Sequence, residues 1–407
     1  MNIFAPTGRP VVGGGRREER YMEYFIDSSY STMNKHGEEL CGDRVQIIRN
    51  SNSTTLVLAD GMGSGVKANI LSTLTSKILS TMMDQGAPIE ECVATVLETL
   101  PVCRERGRNY CTFTMLNIKN DGTGVMYEYD NPQAVYIQGT HCGQLIREKA
   151  EICGKTVYVT KLSLKEEDAI AIMSDGVIYA GPGEAMNYGW QMPQVIEYLN
   201  GVVEPGMDAA NITSLLAEAC YALYGEKPGD DTTIAAIKLR APKTISLMIG
   251  PPVDRENQDK YIAQFLNEGD SHIVCGGTTA QLVAAYMKKD LELVEEVIGQ
   301  EVPPISRIHG IELVTEGAIT IQKLKKLAHT YLDPYNREAK ALNGDDGAVL
   351  MARLLFKQAS RVVLFMGKTT NPAHTGTAAD SGKKLEAVRD ICACLRKMGK
   401  DVVEFYD

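Results

Sequence analysis

Residues 56–65 read Leu56-Val57-Leu58-Ala59-Asp60-Gly61-Met62-Gly63-Ser64-Gly65, an apolar run followed by an aspartate and three glycines. The apolar run predicts a buried strand, and the glycines allow backbone to come close beside the acid. A carboxylate and nearby carbonyl groups at a strand end are the oxygen ligands that hard divalent cations prefer. This stretch therefore predicts one corner of a metal site.

Three more turns repeat this design around an aspartate: Cys41-Gly42-Asp43, Ser174-Asp175-Gly176 and Gly229-Asp230-Asp231. Taken singly, each is better explained as an ordinary surface turn. Three of the four corners lie directly beside apolar strand-like runs, so together they predict one composite site. Such carboxylates can hold two ions ~3.5–4 Å apart. None of the six histidines has an i, i+4 partner, which favours Mg²⁺ or Mn²⁺ over zinc.

The composition narrows the class of protein. A length of 407 residues predicts two domains, and the net charge of −10 argues against nucleic-acid and anionic membrane partners. No apolar run reaches the ~20 residues that cross a bilayer, and the first residues lack the apolar core of a signal peptide. Ten scattered cysteines without a CxxC spacing indicate mostly buried, reduced thiols, so we expect a cytoplasmic protein.

We expect three parts along the chain: a flexible extension over residues 1–21, a first domain over residues 22–240 and a second domain over residues 244–407. Strand-like and helical runs interleave in the first domain without strict alternation, which predicts antiparallel sheets with helices outside. In the second domain, strand-like runs are followed by a loop, a helix and another strand. That order predicts a smaller α/β domain with a mostly parallel sheet.

One long helix is predicted between about Val66 and Met83. Its apolar residues recur with a period of 3.6, so we expect them to form the buried face. They are Ile70, Leu71, Leu74, Ile78, Leu79, Met82 and Met83.

The first domain resembles the PPM family of metal-dependent protein serine/threonine phosphatases, in its bacterial SpoIIE-type branch. The resemblance covers residues from about 24 to 240 and is specific because five segments carry it together. They are Gly37–Asp43, Leu58–Gly65, Asn131–Ala134, Met173–Val177 and Gly229–Thr233. It implies an α+β fold, an α-β-β-α sandwich with the metals at one end. It implies nothing about the second domain.

The resemblance also assigns roles to the acidic corners. Asp60 bridges both metal ions, and Gly61 offers its carbonyl oxygen. Asp175 and Asp230 bind the second ion, while Asp43 holds the first through water. Asp231 stands where many relatives carry Asn, so it is either a further ligand or a neighbour of the ligands.

The sequence offers one candidate for an arginine that binds the substrate phosphate. The N-terminal arginine that clamps phosphate in the eukaryotic branch of the family has no evident counterpart here. Arg44, directly after Asp43, is the candidate for contacting a substrate phosphate, with a solvated surface arginine as the alternative.

The second domain contains one candidate anion site. Gly276, Gly277, Thr278 and Thr279 follow a strand-like run and precede a helix, an arrangement that can receive an anion. The favoured alternative is a tight strand–helix connection in which a threonine caps the helix. The loop from Gly367 is similar, and the two loops would share a crevice if their strands were neighbours.

These observations predict a serine/threonine protein phosphatase that uses two Mn²⁺ or Mg²⁺ ions and a metal-activated water in bacterial regulation. The resemblance suggests an anti-sigma-factor antagonist as the phosphoprotein, and a homodimer is left open. The second domain is expected to regulate the first or to bind a ligand. The alternatives are a non-catalytic scaffold or sensor module with the same fold, and a small-molecule phosphohydrolase.

Overall fold

The computed structural model describes residues 23–99, 111–181, 188–252, 256–293, 305–336, 338–367 and 378–406. The predicted extension over residues 1–21 lies outside these ranges. No helix within them is long and apolar enough to cross a membrane. The nine cysteines described are all free, and seven of them are buried.

The first half of the chain contains eleven strands and five helices within the described residues. The strands are β1 (Phe25–Met33), β2 (Asp43–Arg49), β3 (Ser53–Gly61), β4 (Cys111–Lys119), β5 (Thr123–Tyr129), β6 (Val135–Gln138), β7 (His141–Gly143), β8 (Glu148–Ile152), β9 (Lys155–Ser163), β10 (Ala169–Met173) and β11 (Thr232–Arg240). The helices are α1 (Gly65–Asp84), α2 (Ile89–Thr99), α3 (Asp175–Ile178), α4 (Met192–Val202) and α5 (Ala209–Leu223).

These strands form two antiparallel sheets that pack face to face. One has the order β2-β3-β4-β5-β9-β8 and the other the order β1-β11-β10-β6-β7. Side chains alternate along β3: Leu58 points into the core between the sheets, whereas Val57 points outward. Each such fully buried side chain contributes roughly 1.5–3 kcal/mol to stability.

Helices cover both outer faces of the sandwich. Val93 of α2 packs with Phe113 on the six-stranded sheet, and Leu199 of α4 and Leu216 of α5 pack with Ala171 on the five-stranded sheet. The layers therefore run helix, sheet, sheet, helix, and the predicted α-β-β-α sandwich is confirmed.

The buried face of α1 differs from the prediction. Ile70 and Leu74, expected in the core, are 59% and 51% exposed, and Val66 is 63% exposed. The face that contacts the sheet is instead small and polar at its N-terminal end. Its buried residues are Gly65, Ala68, Ser72, Thr75, Ser76, Leu79 and Ser80. The prediction is confirmed at the C-terminal end, where Leu79 is buried and Ile78, Met82 and Met83 pack against the core. It is wrong at Ile70 and Leu74, because the N-terminal end of the helix packs too closely on β3 for large side chains to fit.

The second half of the chain contains seven strands and five α-helices within the described residues. The strands are β12 (Thr244–Ile249), β13 (Ser271–Cys275), β14 (Glu292–Leu293), β15 (Ser306–Arg307), β16 (Leu313–Thr315), β17 (Arg361–Met366) and β18 (Asp401–Tyr406). The helices are α6 (Gln258–Asn267), α7 (Gly277–Met287), α8 (Ala318–Leu332), α9 (Gly347–Ala352) and α10 (Ala378–Lys397).

All seven strands form one sheet, in the order β14-β15-β16-β13-β12-β17-β18. The five strands from β16 to β18 are parallel, so the predicted mostly parallel α/β domain is confirmed. Strand order reverses between β12 and β17, as in doubly wound sheets. Because β12 separates β13 from β17, the loops that begin at Gly276 and Gly367 do not follow neighbouring strands.

The two halves pack against each other through a buried lysine. Lys340 is 2% exposed and donates hydrogen bonds to Ser31 Oγ at 3.0 Å and to the carbonyl of Tyr30. Burial lowers the pKa of this amine to about 7. Further along β1, the Thr32 N–H donates to the Pro334 carbonyl at 3.1 Å. The turn after α8 therefore lies directly against the first domain.

The exposed stripe on α1 can be tested by stability. Replacing Ile70 and Leu74 by Gln should change the free energy of unfolding by less than about 0.5 kcal/mol, because neither side chain is in the core. Ser72→Leu should cost about 1–3 kcal/mol by overpacking the helix–sheet contact. Urea denaturation of the full chain measures both. If the Gln variants lost much of the free energy of unfolding and Ser72→Leu lost none, the buried face would be the one predicted from periodicity.

Candidate metal centre

Two of the predicted acids face each other across neighbouring strands. Asp43 is the first residue of β2, and its register partner is Asp60, the penultimate residue of β3. The Gly61 N–H donates to the Gly42 carbonyl at 3.1 Å, which continues the pairing beyond the strand. Antiparallel pairing therefore places both carboxylates where β2 begins and β3 ends, at the edge of the sandwich that is formed by these strand ends.

The remaining acids come from the opposite sheet. Asp175 follows β10 as the first residue of α3, and Asp230 and Asp231 directly precede β11. A pair of hydrogen bonds joins the two segments: the Ser174 N–H donates to the Thr233 carbonyl at 3.0 Å, and Ser174 Oγ accepts from the Thr233 N–H at 2.9 Å. The C-terminal end of β10 and the start of β11 are thus held side by side.

The structure brings these acids into electrostatic contact across the two sheets. Burial raises the pKa of Asp60 well above its ordinary value, and the charges of Asp43, Asp175, Asp230 and Asp231 raise it further. Five carboxylates acting on one another at one edge of the sandwich form an acidic cluster, so this edge attracts cations.

Asp43 lies deepest in this acidic cluster. Burial raises the pKa of its carboxyl to about 7; the Ser174 and Thr233 hydroxyls oppose this, and the charges of Asp231 and Asp175 add to it. These hydroxyls lie near the carboxylate, yet neither of its oxygens makes a well-formed hydrogen bond. Buried oxygens without donors are costly unless a cation or a metal-bound water engages them. The donor set therefore fits a hard divalent cation.

The carboxylates of the acidic cluster do not converge on a single ion position. Among the described residues, no group of three or more His, Cys, Asp or Glu side chains is arranged to hold an ion as it stands. Asp175 and Asp60 nevertheless share a side-chain hydrogen bond, which opposes the rise that burial causes in the Asp175 pKa. An ion held by three of the carboxylates therefore requires side-chain adjustment.

Asp231 connects the acidic cluster to the preceding loop. Its Oδ1 accepts the Lys35 N–H at 3.0 Å, and its Oδ2 lies 2.7 Å from the point where a Cβ on Gly42 would stand. Any side chain at position 42 would collide with this carboxylate. In these contacts Asp231 holds the preceding loop in place. They agree with the alternative that Asp231 is a neighbour of the metal ligands.

Gly61 is required by the close packing of α1. A Cβ on this residue would lie 2.1 Å from the carbonyl oxygen of Ala68, which is far inside van der Waals contact. The same close approach explains why small residues form the buried face of α1. The predicted carbonyl ligand is thus positioned by the start of that helix.

The structure does not bring Arg44 to the acidic cluster. It is exposed and follows Asp43 on β2, so strand alternation turns it to the other face. It lies instead near Tyr30 and Tyr335, whose pKa values are raised by burial, and its charge opposes that rise. This placement agrees with the alternative of a surface arginine.

Sequence reasoning missed several polar residues around the acidic cluster. Burial and the charge of Asp175 raise the pKa of Asp230, and the charge of Lys35 opposes this rise. The Ser64 hydroxyl donates to Glu38 Oε1 at 3.0 Å beside the glycine turn. Ser174 could have been found, because it directly precedes Asp175. Glu38 lies in the segment Gly37–Asp43 that carries the resemblance, but nothing there marks it as a site residue. Lys35 carries no sequence signal, since only folding brings its loop to this edge.

Neutralising the deepest carboxylate should stabilise the metal-free protein. Because the folded-state pKa of Asp43 is raised, the folded protein binds its proton more readily, and stability is lost as pH rises from about 4 through about 7. Asp43→Asn should therefore stabilise by on the order of 1–3 kcal/mol at pH 8 and by little at pH 4. Urea denaturation in EDTA measures this difference. A pH-independent effect would contradict the buried charge.

If Asp231 is a neighbour of the ligands and not a ligand, replacing it should weaken Mn²⁺ binding less than replacing Asp60 does. Asp231→Asn keeps an oxygen for the Lys35 N–H, so Mn²⁺ affinity should fall by less than about tenfold. Asp60→Asn should abolish stoichiometric binding. Calorimetry with Mn²⁺ gives both values, and equal losses in the two variants would make Asp231 a ligand.

Comparison with known proteins identifies the first domain. The family model described as SpoIIE, Stage II sporulation protein E, matches residues 50–240. Stage II sporulation protein E of Priestia megaterium is 26% identical over 228 residues, which cover 53% of this chain and 37% of that protein. The chain therefore spans little more than a third of the length of this curated relative.

Solved structures are similar over about half of the chain. The PP2C phosphatase domain of SpoIIE from Bacillus subtilis, solved with a fragment of its regulatory domain, is 20% identical with a TM-score of 0.47, covering 53% of this chain and 64% of that one. RsbX in complex with magnesium is 15% identical with a TM-score of 0.39, covering 53% and 96%.

The resemblance seen in the sequence motifs is thus confirmed by the family match and the curated relative. Residues 50–240 of this chain match the SpoIIE family model, so the first domain is similar to SpoIIE-type phosphatases of the PPM type.

Proposed function

We propose that the first domain is a metal-dependent phosphatase that hydrolyses phosphoserine or phosphothreonine in a protein. The observation that carries this is the acidic cluster: aspartates from two sheets act on the pKa of Asp60 at one edge of the sandwich. Two Mn²⁺ or Mg²⁺ ions would be held by Asp43, Asp60, Asp175 and Asp230, with the Gly61 carbonyl. When bound, such ions lower the pKa of a water and neutralise charge on a phosphoryl group.

The chain's own residues prepare this chemistry by position. Asp43 and Asp60 are fixed by strand pairing, and the Ser174–Thr233 hydrogen bonds fix Asp175 next to the start of β11. Because the backbone already places these residues together, binding cations requires only rotation of their side chains, which lowers the cost of assembling the site. Without cations, the same carboxylates repel a phosphate.

A phosphoprotein is the proposed substrate, with an anti-sigma-factor antagonist as the proposed partner. The support for this choice is the match of residues 50–240 to the SpoIIE family model. A regulatory role for the second domain rests on its contact with β1. The Thr32 N–H of β1 donates to the Pro334 carbonyl of the second domain. The Thr32 Oγ1 lies 2.7 Å from Thr233 Oγ1, and Thr233 lies beside Asp43.

The proposal predicts a metal-dependent activity that requires the aspartates. With Mn²⁺ and a phosphoserine peptide, Asp60→Asn, Asp175→Asn and Asp230→Asn should each lower kcat/KM by at least about 100-fold, because each removes a carboxylate that would hold the cations, and the cations neutralise charge in the transition state. Asp84→Asn is the matched control, since Asp84 is exposed at the end of α1. Release of inorganic phosphate measures the rates.

Three outcomes separate the alternatives. Wild-type activity in the Asp60 and Asp175 variants would exclude catalysis at this edge, and absence of two-ion binding in calorimetry would support a scaffold. A panel of phosphopeptides and nucleotides tests the substrate class, because higher kcat/KM on nucleotides would favour a small-molecule phosphohydrolase.

A further inference from the structure

Two helices of the second domain begin side by side at the carboxyl edge of its sheet. α7 starts after β13 with Gly276 as its N-cap, and α8 starts after β16 with Gly317 as its N-cap. Neither cap offers a side-chain hydrogen bond, so the alternative that a threonine caps α7 is not what the structure shows. The positive ends of two helix dipoles therefore meet at one place.

A lysine from a distant part of the chain reaches the same place. The point where a Cβ on Gly317 would stand lies 3.9 Å from Lys384 Nζ and 3.7 Å from the Gly276 Cα. Lys384, on α10, is half-buried, and among the described residues its ammonium has no hydrogen bond or ion pair. Burial lowers its pKa, opposed by Cys275. A half-buried cation without a counterion is costly, and a bound anion removes that cost.

A buried hydroxyl also points here without a partner. Thr279, the third residue of α7, is 1% exposed, and no described group hydrogen-bonds its Oγ1. That oxygen lies 3.3 Å from the point where a Cβ on Gly276 would stand, so it is directed back at the helix N-terminus. Thr320 at the third position of α8 is likewise buried and unpartnered. Buried hydroxyls normally find partners, and an acceptor from a ligand would supply one.

We infer that Gly276, Gly277, Thr279, Gly317 and Lys384 form a binding site for the phosphate group of a small molecule. We call these five residues the phosphate site. Its donors approach from two helix ends, a hydroxyl and an ammonium, which are different directions. A tetrahedral phosphate offers acceptor oxygens on several sides, whereas a planar carboxylate offers only two.

An acid at the rim narrows the class of ligand. The carboxylate of Glu316 lies 3.4 Å from the point where a Cβ on Gly277 would stand, and its side chain is exposed. It disfavours a second negative charge next to the phosphate and accepts hydrogen bonds from hydroxyls. The phosphate site therefore fits a phosphorylated sugar or a nucleoside monophosphate better than free phosphate.

The phosphate site is tested by ligand-induced stabilisation of the full chain in EDTA. Without divalent ions, the acidic cluster of the first domain repels phosphate, so a response reports on the second domain and is independent of the proposed phosphatase activity. Inorganic phosphate and AMP should raise Tm by mass action, AMP at lower concentration. Lys384→Met should weaken both affinities by at least about tenfold, because it removes the charged donor of the phosphate site.

Matched variants give the controls. Lys383→Met removes an exposed neighbour on α10 and should bind phosphate like the wild type. Thr279→Val removes only the hydroxyl and should weaken binding without lowering the Tm of the unliganded protein. In the absence of ligand, Lys384→Met should unfold at the wild-type Tm or above, because an unpaired half-buried charge is gone.

Three results would overturn the inference. One is the absence of any Tm increase in the wild type at about 10 mM phosphate or AMP. Another is a Lys384→Met or Thr279→Val protein that responds like the wild type. The third is equal stabilisation by acetate at matched ionic strength, which would assign the site to carboxylates.

Discussion

The first domain depends on holding five aspartates at one edge of a sandwich against their mutual repulsion. Strand pairing places Asp43 opposite Asp60, and the other three acids follow from the ends of β10 and β11 in the opposite sheet. Burial and like charge raise their pKa values, so the ionised cluster destabilises the fold where it stands. The apolar layers on both sides of the two sheets offset that cost. Affinity for cations and local instability therefore have the same physical origin.

The closeness of α1 to β3 is part of the same arrangement. Gly61 permits the helix backbone to approach, and small residues such as Ala68 and Ser72 line the contact. Large apolar residues are displaced to the outer side, where Ile70 and Leu74 are exposed. The helix thus gives up hydrophobic burial in order to set the position of the backbone beside Asp60.

A single helix spans the distance between the two sites of this chain. α8 follows its N-cap Gly317 in the phosphate site, and the Pro334 carbonyl in the turn after the helix accepts a hydrogen bond from the Thr32 N–H of β1. Its fifteen residues correspond to about 22 Å of helix. Thr32 contacts Thr233, which lies beside Asp43. A continuous set of contacts therefore joins the start of α8 to the acidic cluster.

The sequence by itself determined the strands that end in acids, the family of the first domain and the parallel sheet of the second, because apolar runs, Asp-Gly turns and strand–helix order are local patterns. Only the tertiary structure decided which face of α1 is buried, on which side of β2 Arg44 lies, and that Lys384 stands beside Gly276 and Gly317. These outcomes depend on how closely elements distant along the chain approach one another. Local spacing does not contain that distance, so periodicity placed Ile70 in the core and no motif marked Lys384.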